Sequence, residues 1–272
     1  MLIPDVLRQE HMPKMVYALV KLVHSGKYTD EDLRKRITAS MCKEYDDNSR
    51  NNFNLILSFA EKGELIKEEN GYYNTEFQEN ELVNFSEFTY ALLGKMNSAE
   101  ETMFNSLLRY YLSTDSFIES EFSSSAGKFR EKALENAEVK KYHVEEDNIH
   151  GFLFWIEAFQ IANFEGNRSG HVYFSLENLL IKYLEKHPEI RNKGSMPVKL
   201  FLDTLAEDIY FIPYCCETDR NWITYPMAQA LRILENLEMI QLEYRQDSDQ
   251  IWHLPGSLIF ASGNRFTNVR IL

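Results

Sequence analysis

A six-residue passage restricts the fold of this chain more than any other: a helix ends in it and an apolar strand starts almost at once. Glu61-Lys62-Gly63-Glu64-Leu65-Ile66 closes an amphipathic segment that carries Phe53, Ile56, Leu57 and Ala60 on one face. Leu65-Ile66-Lys67 reads as a strand, Glu68-Glu69-Asn70-Gly71 is a strong hairpin signal, and Tyr72-Tyr73-Asn74 returns. The passage then recurs. Glu235-Asn236-Leu237-Glu238-Met239-Ile240 aligns with it, and Glu157-Ala158-Phe159-Gln160-Ile161-Ala162 is a weaker third version.

Upstream of its first occurrence, Met15, Val16, Leu19, Val20, Leu22 and Val23 recur at helical spacing after Pro13, and Gly26 ends that helix. Thr29 is the expected N-cap of a second helix, with Asp30, Glu31 and Asp32 at its positive end. Asn48 or Ser49 would cap the third helix, and Gly63 would stop it. Helix, helix, helix and ribbon is the order of a winged helix-turn-helix. In that arrangement the third helix enters the major groove and the ribbon flanks it on the backbone. Arg50, Asn51, Asn52 and Asn54 would then face base edges, with Lys35 and Arg36 on the second helix meeting phosphates.

Charge argues the other way. Residues 12–80 hold 10 basic against 12 acidic side chains, with Asp46 and Asp47 before the third helix and Glu68 and Glu69 on the ribbon. The whole chain carries −13, which excludes a nonspecific nucleic-acid coat, a basic RNA-binding arm and an anionic-membrane binder. Either DNA contact or a protein-binding role fits this opening unit.

Later segments alternate helices and short strands. The strongest apolar run, residues 144–161, contains Ile149, Phe152, Leu153, Trp155, Ile156 and Phe159 and is apolar nearly all round, the pattern of a buried helix. A strand at 171–174 and a helix at 176–186 follow, and Asn192-Lys193-Gly194 is the clearest linker. Pro197 opens a helix, Pro226 another, and 239–244 with 251–254 would form the closing ribbon around a turn at 246–249. The expected fold is mainly α with short β-ribbons (α+β), as tandem winged helix-turn-helix domains around a helical middle region. Its expected domains are 1–80, an N-terminal winged helix; 81–192, a helical middle domain and candidate degenerate winged helix; and 193–272, a C-terminal winged helix with a tail.

Signals of chemistry in the chain are weak. The seven histidines are scattered, with no His-Glu-x-x-His and no Cys-x-x-Cys, so no metal site and no cofactor is expected. No Gly-x-Ser-x-Gly elbow or phosphate-binding Gly-x-x-x-x-Gly-Lys loop occurs, and Glu217 and Asp219 would raise rather than lower the thiol pKa of Cys215 and Cys216. The three cysteines leave an odd count, and no signal peptide or membrane-spanning run is present, which points to the cytoplasm. A second apolar concentration, Trp222, Trp252 and Leu258-Ile259-Phe260, is the candidate partner-binding surface.

Three stretches together resemble a known family: Trp155-Ile156-Glu157-Ala158-Phe159 leading to the 171–175 strand and the 176–180 helix; Ala228-Gln229-Ala230-Leu231-Arg232-Ile233-Leu234-Glu235; and Ile240-Gln241-Leu242-Glu243 with its 247–249 turn. The pattern is similar to the DpdG-type proteins of bacterial 7-deazaguanine DNA modification and restriction islands. The resemblance implies an accessory component of a phage-defence system, working beside ATPase, helicase or nuclease subunits, and it carries no catalytic residues. The acidic tandem winged-helix subunits of SMC-type complexes look similar in organisation and charge. The expected function is a non-enzymatic adaptor binding protein subunits of a DNA-processing or defence complex, with double-stranded DNA as a candidate second ligand. The alternative is a sequence-specific transcriptional regulator, for which a homodimer would place two opening units on successive major grooves.

Overall fold

A computed structural model describes residues 3, 13–41, 47–96, 101–113, 121–123, 126–165, 171–248, 250–256 and 263–272, with the side chains of 38–51, 121–123 and 165 outside that description. The fold is α+β, with helices predominating over short strands. Two compact units are formed: residues 1–104 with 143–158, and residues 105–142 with 159–272. The chain passes between them at 104/105, 142/143 and 158/159.

In the first unit, α1 (Pro13–His24), α2 (Asp30–Met41) and α3 (Asp47–Lys62) pack on one another and lead into β1 (Lys67–Glu69) and β2 (Tyr72–Asn74). Thr29 caps α2 as expected: its hydroxyl accepts from the Asp32 amide at 3.3 Å, and its own amide donates to the Asp32 carboxylate at 3.2 Å. The third helix starts at Asp47, ahead of both expected caps. Val16, Leu19, Val20, Leu33, Phe53, Ile56 and Ala60 meet in the core, each about 1.5–3 kcal/mol better buried than exposed for the larger side chains. Leu65 and Ile66 are buried in the turn before β1, so the strand begins two residues later than the sequence suggests. The hairpin is closed by Asn70 and Gly71 at φ 56° and 81°, the positive-φ pair of a type I′ turn. A helix α4 (Phe85–Lys95), capped by Asn84, brings Phe85 and Phe88 against Tyr17.

The apolar run of the middle becomes α8 (Glu146–Ala158), and it belongs to this first unit. Trp155 is fully buried and stacks on Phe59 of α3 at 5.7 Å, while Phe152 lies 5.3 Å from Phe104. Phe104 stands near the start of α5 (Met103–Leu112), whose remainder, from Asn105, is in the second unit.

The second unit holds β3 (Glu121–Ser123), α6 (Ala126–Ala133), α7 (Ala137–Lys140), β4 (Ala162–Glu165) and β5 (His171–Phe174), in an antiparallel sheet of order β3-β5-β4. Tyr111 of α5 stacks on Phe174 and donates its hydroxyl to the Phe129 carbonyl at 3.0 Å. Next come α9 (Glu177–Lys186), α10 (Pro188–Arg191), β6 (Ser195–Pro197), α11 (Val198–Asp208), β7 (Cys216–Glu217), β8 (Trp222–Ile223), α12 (Tyr225–Asn236), β9 (Ile240–Glu243), β10 (Trp252–His253), β11 (Arg265–Phe266) and β12 (Asn268–Ile271).

The strand that closes the last sheet is not the expected one. β12 pairs antiparallel with both β9 and β6, giving the order β6-β12-β9, whereas β10 pairs with β8 and β11 in a separate sheet. Val269 and Ile271 alternate inward and complete the core, a role the short Trp252–His253 segment does not fill. The 246–249 turn therefore opens a long connection rather than a tight hairpin.

The echo in the sequence marks one backbone feature. Glu64, Gln160 and Glu238 occupy the same position in the three aligned passages, and all are left-handed, at φ 57°, 58° and 56°. In two of them the hydrogen bonds also coincide. Leu65 N–H donates to Ala60 O at 2.8 Å and Met239 N–H to Leu234 O at 3.0 Å; Glu64 N–H donates to Glu61 O and Glu238 N–H to Glu235 O. These are the paired bonds of a Schellman turn. Gly63 is not the left-handed residue; the glutamate after it is.

Candidate functional site

Two of the expected DNA-contact side chains, Lys35 and Arg36, already have a local role. Lys35 is exposed and paired with Glu31 at 2.7 Å one turn earlier, which holds the Glu31 carboxyl below its usual range. Exposed pairs of this kind contribute little and break readily. Arg36 is exposed and lies 4.9 Å from the centre of the Tyr28 ring; Arg34 pairs with Asp30 at 2.6 Å and covers Phe53. On α3, Asn54 is exposed and Asn52 half-buried, while the side chains of Arg50 and Asn51 lie outside the described residues. The structure thus brings Lys35, Arg36, Asn52 and Asn54 onto two packed helices. The ribbon exposes Glu68 and Glu69, and its lysine, Lys67, is held by Glu76 at 2.9 Å.

The other two helices that precede an echoed turn present much less. On α8, Ile149, Phe152, Trp155 and Ile156 are fully buried. Seven residues of α12, from Tyr225 and Pro226 to Leu231 and Leu234, are buried, and the helix packs against α9. Among its described residues α3 exposes Asn54, Glu61 and Lys62.

Of the expected partner surface, Trp222 and Trp252 are the described residues. Trp252 is 2% exposed, because β10 is an interior strand of its sheet, and it belongs to the core rather than to an outward surface. Trp222 is half-buried and stacks on His253 at 6.3 Å. Leu258, Ile259 and Phe260 lie outside the described residues. The cysteines are pushed away from reactivity, but burial is the first cause: it raises Cys215 well above its usual value and Cys216 to about 11, with Asp203 adding to the latter. Among the described residues no group of His, Cys, Asp or Glu could hold a metal ion, and no helix is long and apolar enough to cross a membrane.

One polar cluster escaped the sequence. Glu243, only 14% exposed, accepts from Ser195 Oγ at 2.7 Å and Arg245 Nη2 at 2.9 Å on one oxygen and meets Arg270 Nη2 at 2.6 Å on the other. The Ser195 hydrogen bond, then that of Arg245 and the two arginine charges, hold its carboxyl below the usual range despite burial. Glu243 and Arg245, two apart at the end of a strand, were discernible as same-face neighbours. Ser195 and Arg270 were not, since only the β6-β12-β9 register brings them there.

No protein-family model matches the chain, and no curated protein or solved structure matches it.

Proposed function

We propose that this chain is a non-enzymatic adaptor built from winged-helix-type units, binding protein partners in a DNA-handling complex such as the phage-defence assemblies of the DpdG-type resemblance. Three features support the winged-helix reading. Helices followed by a ribbon recur in chain order, the two three-stranded sheets share the order first, third, second, and one left-handed residue stands at the same place in each copy.

The observation that carries the adaptor reading is the burial of α8 and of most of α12, the helices that would otherwise read a groove. On α3 the exposed described residues are Asn54, Glu61 and Lys62, and the ribbon that follows exposes acidic Glu68 and Glu69, which would repel phosphates. The decisive experiment is affinity capture of the tagged protein from its native cell, with and without nuclease. A stoichiometric partner that survives nuclease is the expected result. Loss of every partner with nuclease, together with tight binding to one duplex, would replace the adaptor by the transcriptional regulator. A minor DNA contact through Lys35, Arg36 and Asn54 remains compatible with the adaptor, because those side chains are exposed.

A further inference from the structure

The outer face of the β6-β12-β9 sheet differs from the rest of this acidic chain. Ser195, Arg270 and Gln241 stand in register across its three strands, while Met196, Val269 and Leu242 alternate into the core. Arg245 and Arg270 converge on the single Glu243 carboxylate, yet each remains about half exposed, at 48% and 47%. Each spends only Nη2 on the cluster; among the described residues Nε and Nη1 of both have no partner. Glu243 holds both guanidinium groups, and Ser195 and the bond from the Arg245 amide to the Thr267 hydroxyl help to fix that of Arg245. Two arginines against one carboxylate leave the cluster net positive.

Both edges of the sheet resist strand addition. Pro197 on β6 has no N–H, and the Leu242 N–H on β9 is taken by the Glu235 side chain at 3.3 Å. What the sheet offers a ligand is therefore its face, and the chemistry of that face is a pair of held guanidinium groups whose remaining N–H donors suit carboxylate or phosphate oxygens.

We propose that this face docks an acidic peptide segment of a protein partner, its carboxylates received by Arg245 and Arg270. The inference rests on the adaptor reading and supplies the chemistry of one partner. Nucleic acid fits less well. Residues 193–272 hold 10 acidic against 7 basic side chains, and two arginines neutralise about two phosphates at most. A duplex would set many more phosphates over acidic surface, whereas a peptide needs only one or two carboxylates.

The test uses the full chain and a short fluorescein-labelled peptide of alternating glutamate and serine, followed by fluorescence anisotropy at low salt and at about 0.3 M salt. The expected result is binding that weakens with salt and falls about tenfold or more in Arg245→Gln/Arg270→Gln. Arg270→Lys keeps the charge but removes the fork, and a partial loss there carries the same conclusion if the double variant fails to fold. Absence of peptide binding, equal binding by all three proteins, or an arginine-dependent preference for a DNA duplex of equal charge would each overturn the site. Capture of a nuclease-resistant partner that neither variant disturbs would sink this site while leaving the adaptor itself standing.

Discussion

Glu64, Gln160 and Glu238 sit where most helices place glycine, since a side chain in left-handed backbone is destabilised by about 1 kcal/mol. A carboxylate is not a shared requirement of the position, since Gln160 has none. Replacing Glu64 or Glu238 by glycine should therefore raise stability by about 0.5–1 kcal/mol each, after allowing for the greater freedom of glycine in the unfolded chain. Urea midpoints measure this directly, and a fall in midpoint would show that the glutamates serve another purpose. Trp155 is the opposite case, a large ring with no exposed surface that stacks on Phe59. Trp155→Ala should lose about 3–5 kcal/mol. A near-neutral melt would contradict its place in the core of the first unit.

Among the elements, the helices of the opening unit were legible because Val16, Leu19, Val20 and Phe53, Ile56, Ala60 repeat with helical period and bury accordingly. The ribbon was legible because Asn70-Gly71 takes the two positive φ values that few other pairs tolerate. β6, β7 and β8 have two or three residues and no hairpin pair such as Asn70-Gly71 beside them, so they were missed, and β12 lost its place to Trp252–His253. Pairing across the sheet is non-local, and with it went the Glu243 cluster: nothing near Glu243 in the chain announces Ser195 or Arg270. That cluster gives the sheet a pH dependence of definite sign. The Glu243 carboxyl is lower in the folded protein than unfolded, so its contribution is fully present above the ordinary carboxylate range and is lost as pH falls through the folded value. Glu243→Gln should thus lower the melting temperature at neutral pH, with the gap to the parent closing in acid. A gap independent of pH would mean that shape, not charge, holds the cluster. Val269 lies fully buried in the central strand, and Val269→Asp should unfold the second unit, visible as loss of near-ultraviolet dichroism.

For the molecule as a whole, the question is how many phosphates such a surface could meet. The chain carries −13, and acidic side chains outnumber basic ones in each successive segment: 12 to 10 in residues 12–80, 18 to 11 in 81–192 and 10 to 7 in 193–272. Repulsion of DNA is then general, and attraction must come from single sites. Lys35 and Arg36 are exposed basic side chains of α2, which packs on α3, and Lys35 must first leave Glu31. A winged-helix regulator that sets a helix and ribbon on the backbone makes roughly six to ten phosphate contacts, and its affinity falls steeply with salt, at about 0.9 of a logarithmic unit per contact. If the adaptor reading holds, duplex binding here should be weak and its logarithmic salt slope no steeper than about −2. Lys35→Ala/Arg36→Ala should flatten that slope further without disturbing capture of protein partners. Anisotropy with a labelled duplex across a salt series gives both numbers. A slope of about −6 or steeper would require basic contacts beyond this pair and would turn the argument toward the regulator, since no surface so acidic could otherwise release that many counterions.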